Sequence, residues 1–149
     1  MKIKEIYEIV PESNGWRKLP DGNCVKLGDY VTLGNSVTLG DYVKLGNDVK
    51  LGDYVKLGNG VKLGDYVTLG NNVKLSDYVI FKQTPLQIQC HPYPVYPFSS
   101  TEIGVGCVVH SIDYWLAGEP SELTDHPECQ PWQNYQDAIA LVAEWMKRQ

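Results

Sequence analysis

Apolar residues recur with a beat of six from Leu27 to Ile80. Nine consecutive hexapeptides there share the skeleton Leu-Gly-(Asp/Asn)-x-Val-(Thr/Lys), broken only where Ser76 replaces the glycine and Ile80 the last polar residue. A degenerate copy, Asp21-Gly22-Asn23-Cys24-Val25-Lys26, precedes them, so ten units fill residues 21–80. Within each unit Val-(Lys/Thr)-Leu alternates apolar, polar, apolar, which in an extended strand sends Val and Leu to one face and Lys or Thr to the other. The following Gly-(Asp/Asn) pair supplies residues that tolerate positive φ, so each strand is expected to bend after about three residues. A period of six is too short for a helical hairpin or a propeller blade and points to a solenoid of stacked parallel strands.

These units resemble the hexapeptide-repeat family: an aliphatic residue, often followed by Gly, with a small residue four positions on, as in Leu27-Gly28 with Val31 through Leu69-Gly70 with Val73. The resemblance covers about sixty of the 149 residues. It implies a mainly β fold, a left-handed parallel β-helix with three hexapeptides per eighteen-residue coil and about three coils, and a homotrimer.

Gly-Asp-Tyr units alternate with Gly-Asn-x units, so the true sequence period is twelve. With three units per coil, the residue above any position lies an odd number of units further on, and the two unit types stack on each other. Asp29, Asn47 and Asp65 then form one corner, Asn35, Asp53 and Asn71 the second, and Asp41, Asn59 and Asp77 the third. At a strand spacing near 4.8 Å the alternation separates carboxylates that would repel, and Asn amides are expected to donate hydrogen bonds between coils. The next residues stack as Tyr30, Asp48, Tyr66; Ser36, Tyr54, Asn72; and Tyr42, Gly60, Tyr78. Outward residues form the columns Lys26, Lys44, Lys62 and Ile80; Thr32, Lys50 and Thr68; and Thr38, Lys56 and Lys74. The first is the most basic. It is either a phosphate-attracting strip or a set of solvated lysines that keep a flat β face soluble.

The formal charge of −5 changes this picture by its location. Residues 21–80 carry six Lys and seven Asp, whereas residues 81–149 carry three basic and eight acidic groups. A near-neutral solenoid with an acidic tail argues against duplex nucleic-acid binding. No apolar run has transmembrane length and no signal peptide is visible, so a cytoplasmic address and no membrane partner are expected.

A bare solenoid end exposes apolar surface and strand edges, so caps are required. Residues 1–20 are expected to supply a β cap: Glu5 to Val10 and Trp16 to Leu19 as a hairpin around Pro11–Gly15, with Trp16 as a lid. Ile3, Ile6 and Val10 also fit helical spacing. Residues 81–110 suggest a connector. Leu86 to Cys90 alternates like a strand, and Pro92, Pro94 and Pro97, interleaved with Tyr93, Tyr96 and Phe98, suggest a stiff extended segment excluded from any central strand. Residues 111–149 suggest a small α-helical subdomain. Ser111 caps a short helix through Leu116, and Pro131 opens a longer one to about Lys147 with Tyr135, Ile139, Val142 and Trp145 or Met146 along one face.

The stretch Ile103 to Leu116 resembles the ends of uncharacterised phage and prophage proteins with imperfect hexapeptide-like repeats, which implies a phage protein acting in a bacterial host. Cys107-x-x-His110 and His126-x-x-Cys129 form two short ligand pairs in mirror order, a set that suits tetrahedral zinc and could staple a small tail. A buried cysteine and a hydrogen-bonded histidine account for the same residues without metal, and no other cofactor is expected.

Hexapeptide acyltransferases use a histidine base near a loop that protrudes from a coil, and γ-type carbonic anhydrases hold zinc through three coil histidines. The repeat here has neither loop nor histidine between Asp21 and Ile80, so catalysis would fall to His91, His110 or His126. The favoured expectation is a noncatalytic trimeric binding or scaffold protein. One version is a phage anti-defence protein that sequesters a small anionic nucleotide, or binds a host defence protein, using Lys26, Lys44, Lys62, Tyr30, Tyr66, His110 and Trp115. The alternatives are an acyltransferase with tail histidines and a purely structural protein.

Overall fold

The three-residue alternation folds as short strands wound into a parallel β-helix in the computed structural model, which describes residues 2–90, 93–118 and 132–149. The chain divides into two units, residues 1–85 and 86–149.

The first unit begins with α1 (Ile3–Glu8) and β1 (Arg17–Lys18). Its solenoid strands are β2 (Cys24–Leu27), β3 (Thr32–Leu33), β4 (Thr38–Leu39), β5 (Val43–Leu45), β6 (Lys50–Leu51), β7 (Lys56–Leu57), β8 (Lys62–Leu63), β9 (Thr68–Leu69), β10 (Lys74–Leu75) and β11 (Ile80–Phe81). They form three parallel sheets, β2-β5-β8-β11, β3-β6-β9 and β4-β7-β10, with β1 added antiparallel to the edge of the first. Partners lie eighteen residues apart, as in Lys26 with Lys44 and Lys44 with Lys62. Val43, Val49, Val55, Val61 and Val67 are fully buried, and Leu45, Leu51, Leu57, Leu63 and Leu69 nearly so.

The corners correct the sequence reading in two ways. Positive φ falls on the residue after Asp or Asn: on Tyr30, Ser36, Tyr42, Asp48, Tyr54, Gly60, Tyr66, Asn72 and Tyr78. The repeat glycine has another role, close approach between coils. A Cβ on Gly28 would lie 2.5 Å from the Asn47 Oδ1 and 2.5 Å from the Gly46 carbonyl carbon. The second correction concerns the corner ladder, in which the side chains accept. The backbone N–H of Asp29 donates to Asn47 Oδ1 and that of Asn47 to Asp65 Oδ1, both at 2.8 Å, and the other two corners repeat the pattern. Asp and Asn serve the ladder as equivalent acceptors because both present Oδ1, and they differ in charge.

The N-terminal cap is a helix, not the hairpin of residues 5–10 with 16–19. Glu5 reaches back to accept the Lys2 backbone N–H at 2.9 Å, satisfying an otherwise orphaned donor at the helix start. Helical spacing buries Ile6, and the Tyr7 hydroxyl donates to the Gly28 carbonyl at 2.8 Å while accepting the Val31 N–H at 3.0 Å. One phenol thus serves edge groups of the first coil. Arg17 lies over the Tyr7 ring and donates Nε–H to the Ile9 carbonyl. Trp16 is half-buried, with its ring edge-on to Tyr42 at 5.7 Å. The hairpin that does form pairs Arg17 with Val25 and Lys18 with Cys24.

In the second unit an antiparallel sheet, ordered β12 (Ile88–Gln89), β13 (Pro94–Pro97), β14 (Glu102–Val105) and β15 (Val108–Ser111), packs with α2 (Ile112–Leu116) and α3 (Trp132–Lys147). Val95, Ile103, Val105, Trp115, Tyr135, Ala138, Ile139, Val142 and Ala143 form its core. The proline-rich segment, expected as a connector outside any central strand, is a central strand. Its prolines sit at the two ends, so Val95 and Tyr96 keep their donors, and the Pro94 carbonyl accepts the Gly106 N–H at 3.0 Å. Tyr96 is buried across Gly104, where an added Cβ would overlap its ring, and its hydroxyl donates to the Gly106 carbonyl at 2.7 Å. Ser111 caps α2, its hydroxyl accepting the Tyr114 N–H at 3.2 Å. Pro131 lies outside the described residues.

Candidate functional site

The sheet β2-β5-β8-β11 carries Lys26, Lys44, Lys62 and Ile80 in direct register on its outer face. Strand alternation fixes this, because Val25 and Val43 on one side of these residues and Leu45 and Leu63 on the other are committed to the core. Lys44 and Lys62 are exposed, and Lys26 is half-buried with its stem beside Gly15, where an added Cβ would lie 3.1 Å from Cε. Ammonium groups held at one-strand spacing repel by about 1 kcal/mol per adjacent pair in water. An anion lying across them would reverse that sign.

Tyrosines flank the face at the corners. Tyr30 and Tyr66 follow Lys26 and Lys62, whereas Tyr42 precedes Lys44 and Tyr78 precedes Ile80. All four are largely exposed, at 81%, 73%, 59% and 76% respectively. Each has φ near +60°, a left-handed conformation that disfavours a Cβ-bearing residue by roughly 1–2 kcal/mol. Asn72 and Gly60 occupy the same position in other units, so the fold does not require tyrosine there. The Tyr78 ring lies over Gly60, where a Cβ would meet Cδ1 at 2.5 Å. The sequence reading stacked Tyr42 and Tyr78 in one corner column but assigned only Tyr30 and Tyr66 to the site; setting both corner columns against the lysine column is the step that brings in the other two.

Of the sequence-selected residues, Lys26, Lys44 and Lys62 share one sheet face, with Tyr30 and Tyr66 at its border. His110 and Trp115 belong to the other unit. Trp115 is fully buried and donates its indole N–H to the Ile103 carbonyl at 2.8 Å, which makes it a core residue with no face for a ligand. His110 stacks on Tyr114 with ring centroids 3.8 Å apart and meets Trp115 edge-on.

Cys107 is exposed in the two-residue turn between β14 and β15, beside Gly106 at φ +59°. The proposed metal partners His126 and Cys129, and the histidine His91, lie outside the described residues. Among the described residues, no three His, Cys, Asp or Glu side chains gather as a metal-binding group. Cys24 and Cys90 are half-buried, and burial pushes the Cys90 thiol up from its ordinary range. No helix among the described residues is long and apolar enough to cross a membrane.

The family model described as Bacterial transferase hexapeptide (six repeats) matches residues 42–77. Searches of curated proteins and of solved structures found no match. The match falls wholly within the solenoid, and the coil register given by β5 to β10 accounts for it.

Proposed function

We propose that this chain is a noncatalytic β-solenoid that assembles as a homotrimer and binds a small anionic ligand on the Lys26-Lys44-Lys62 face. The supporting observation is the direct register of the three lysines on a hydrogen-bonded ladder. Backbone pairing holds their stems in fixed order before any ligand arrives, which lowers the ordering cost of binding. Tyr30 and Tyr66 at the border offer ring faces to a nucleobase, so a nucleotide is the favoured ligand class. The trimer is what the hexapeptide resemblance implies. Sequestration of a small anionic host signal during phage infection, or capture of a host defence protein, is the biological setting that the resemblance of the tail suggests.

Native mass spectrometry of the purified protein, combined with thermal melts across a nucleotide panel, tests this reading. Three chains with a bound or stabilising nucleotide are expected. Three chains with neither bound molecule nor any melting shift would leave a structural role in its place. The family match to transferases favours one competing reading, an acyltransferase. Its coils would need a loop or histidine that residues 21–80 do not contain, so acyl transfer from acetyl-CoA dependent on His110 would establish it instead.

A further inference from the structure

We infer that the lysine face is a track for single-stranded nucleic acid, with phosphates along the lysine column and bases stacked on the corner tyrosines at either side. This rests on the anion-binding reading of the same face and adds the class of anion.

The arrangement follows from two periods. Lysines occupy successive coils at Lys26, Lys44 and Lys62. Tyrosines occupy only every second unit, so on climbing the face they alternate sides. Tyr30 borders the Lys26 level on one edge, Tyr42 the Lys44 level on the other, Tyr66 the Lys62 level on the first edge, and Tyr78 the Ile80 level on the second. Successive levels are about 4.8 Å apart, and rings on one edge recur after about twice that distance. An extended strand laid along this face meets a cation at each of three steps and a ring to one side or the other. Alternating sides leave room for bases to splay, and aromatic stacking accepts any base. Trp16, edge-on to Tyr42, widens the second border.

Two observations favour a ligand over solubility as the reason for these rings. The tyrosines are exposed in a left-handed conformation where asparagine or glycine, both present at equivalent corners, serves the fold at lower cost; Tyr54 shares this at the corner between the other two faces, so it is the lysine column beside Tyr30, Tyr42 and Tyr66 that singles out this face. Lysines alone would keep the face soluble, and the rings oppose that end. The face is also distinct from its two neighbours. The second has one lysine, Lys50, between Thr32 and Thr68, and the third has Thr38 below Lys56 and Lys74. Corner carboxylates at Asp29, Asp41, Asp48 and Asp65 border the lysine track. They oppose a rigid duplex, whose two phosphate rows cannot both avoid them, while a single flexible strand can follow the column.

Fluorescence anisotropy of the full chain with a short labelled oligothymidylate tests the inference, beside an abasic phosphodiester of equal length, inorganic polyphosphate, a duplex, a mononucleotide and a neutral glycan. The oligothymidylate is expected to bind most tightly, with affinity falling as salt rises. Tyr66→Asn and Tyr42→Asn, which suit the left-handed corner and so preserve the fold, are each expected to weaken it by about tenfold to a hundredfold while leaving abasic binding unchanged. Lys44→Gln is expected to weaken both. If the abasic polymer or polyphosphate binds as well as the oligothymidylate, or if only the mononucleotide binds, the strand track is overturned while the anion site stands. If no anion binds, both fall. Tyrosine-dependent binding of the neutral glycan with none of the oligothymidylate would also overturn the track.

Discussion

Replacing Gly46 with alanine isolates the close approach between coils. Gly46 lies outside the positive-φ set, so backbone strain does not enter. A Cβ there would sit 2.5 Å from Asp65 Oδ1, 2.7 Å from the Asp65 nitrogen and 2.8 Å from the Gly64 carbonyl carbon. Two of these atoms are backbone, and the third is held by the Asn47 N–H at 2.8 Å. The coils must therefore part, loosening that bond and the neighbouring bond from the Gly46 N–H to the Leu63 carbonyl at 2.8 Å. Overpacking of this kind costs about 1–3 kcal/mol, and two weakened hydrogen bonds add about 1–2 kcal/mol. The reduced freedom of the unfolded chain offsets about 0.4–1 kcal/mol. The net expectation is a destabilisation of about 1–5 kcal/mol centred near 3 kcal/mol, the centre corresponding to a melting shift of roughly 6–12 °C in a chain of this size. Ser76→Ala is the control, because the last coil ends at β11 and no further hexapeptide stacks on that position. It is expected to stay within about 0.5 kcal/mol of the parent. Urea titration followed by far-UV circular dichroism reads both. Equal stability of the two variants would refute the inter-coil role of glycine.

Three further outcomes are expected. Tyr7→Phe removes the hydroxyl that serves both Gly28 and Val31 and should lower stability by about 1–3 kcal/mol in the same titration. Asn47→Asp keeps the Oδ1 acceptor but places a third carboxylate between Asp29 and Asp65; the loss should be about 1 kcal/mol per adjacent pair and should shrink as salt is raised. Thiol labelling with mass-spectrometric mapping at neutral pH should modify exposed Cys107 well before Cys90. The raised Cys90 pKa leaves less thiolate at neutral pH, so its own labelling rate should keep climbing into the alkaline range. Cys107 labelling that waits for a chelator would instead indicate the zinc staple with His110, His126 and Cys129.

The solenoid was legible because every unit repeats one decision: Val and Leu inward, Lys or Thr outward, with the corner left to Gly-Asp or Gly-Asn. Column membership followed by arithmetic, and the register of Lys26, Lys44 and Lys62 bears it out. The reason for the glycine was not legible, since flexibility and close approach select the same residue and only a neighbouring coil distinguishes them. The N-terminal segment was ambiguous because Ile3, Ile6 and Val10 satisfy a helix as well as a cap strand; burial of Ile6 and the double role of the Tyr7 hydroxyl decide for the helix. Pro94 and Pro97 misled because proline is penalised in strand interiors, whereas here both prolines sit at strand ends. Trp115 read as a stacking platform from its chemistry alone, and only its burial identifies it as core. In the candidate site the lysines were visible as a column. The alternation of tyrosines across that column needed both periods at once.

The two periods also set a unit of growth for this molecule. Tandem duplication of one coil would stack identical units and bring carboxylate over carboxylate at the junction. Duplication of one twelve-residue period would keep the ladder but turn everything beyond it by two-thirds of a revolution. Only two full coils, which equal three of the twelve-residue periods, restore both the ladder and the bearing of the far end. The repeat is thus a ruler with one increment that leaves both unchanged: a single-coil duplication adds about 1 kcal/mol of repulsion per stacked carboxylate pair, and a twelve-residue one turns the faces beyond it.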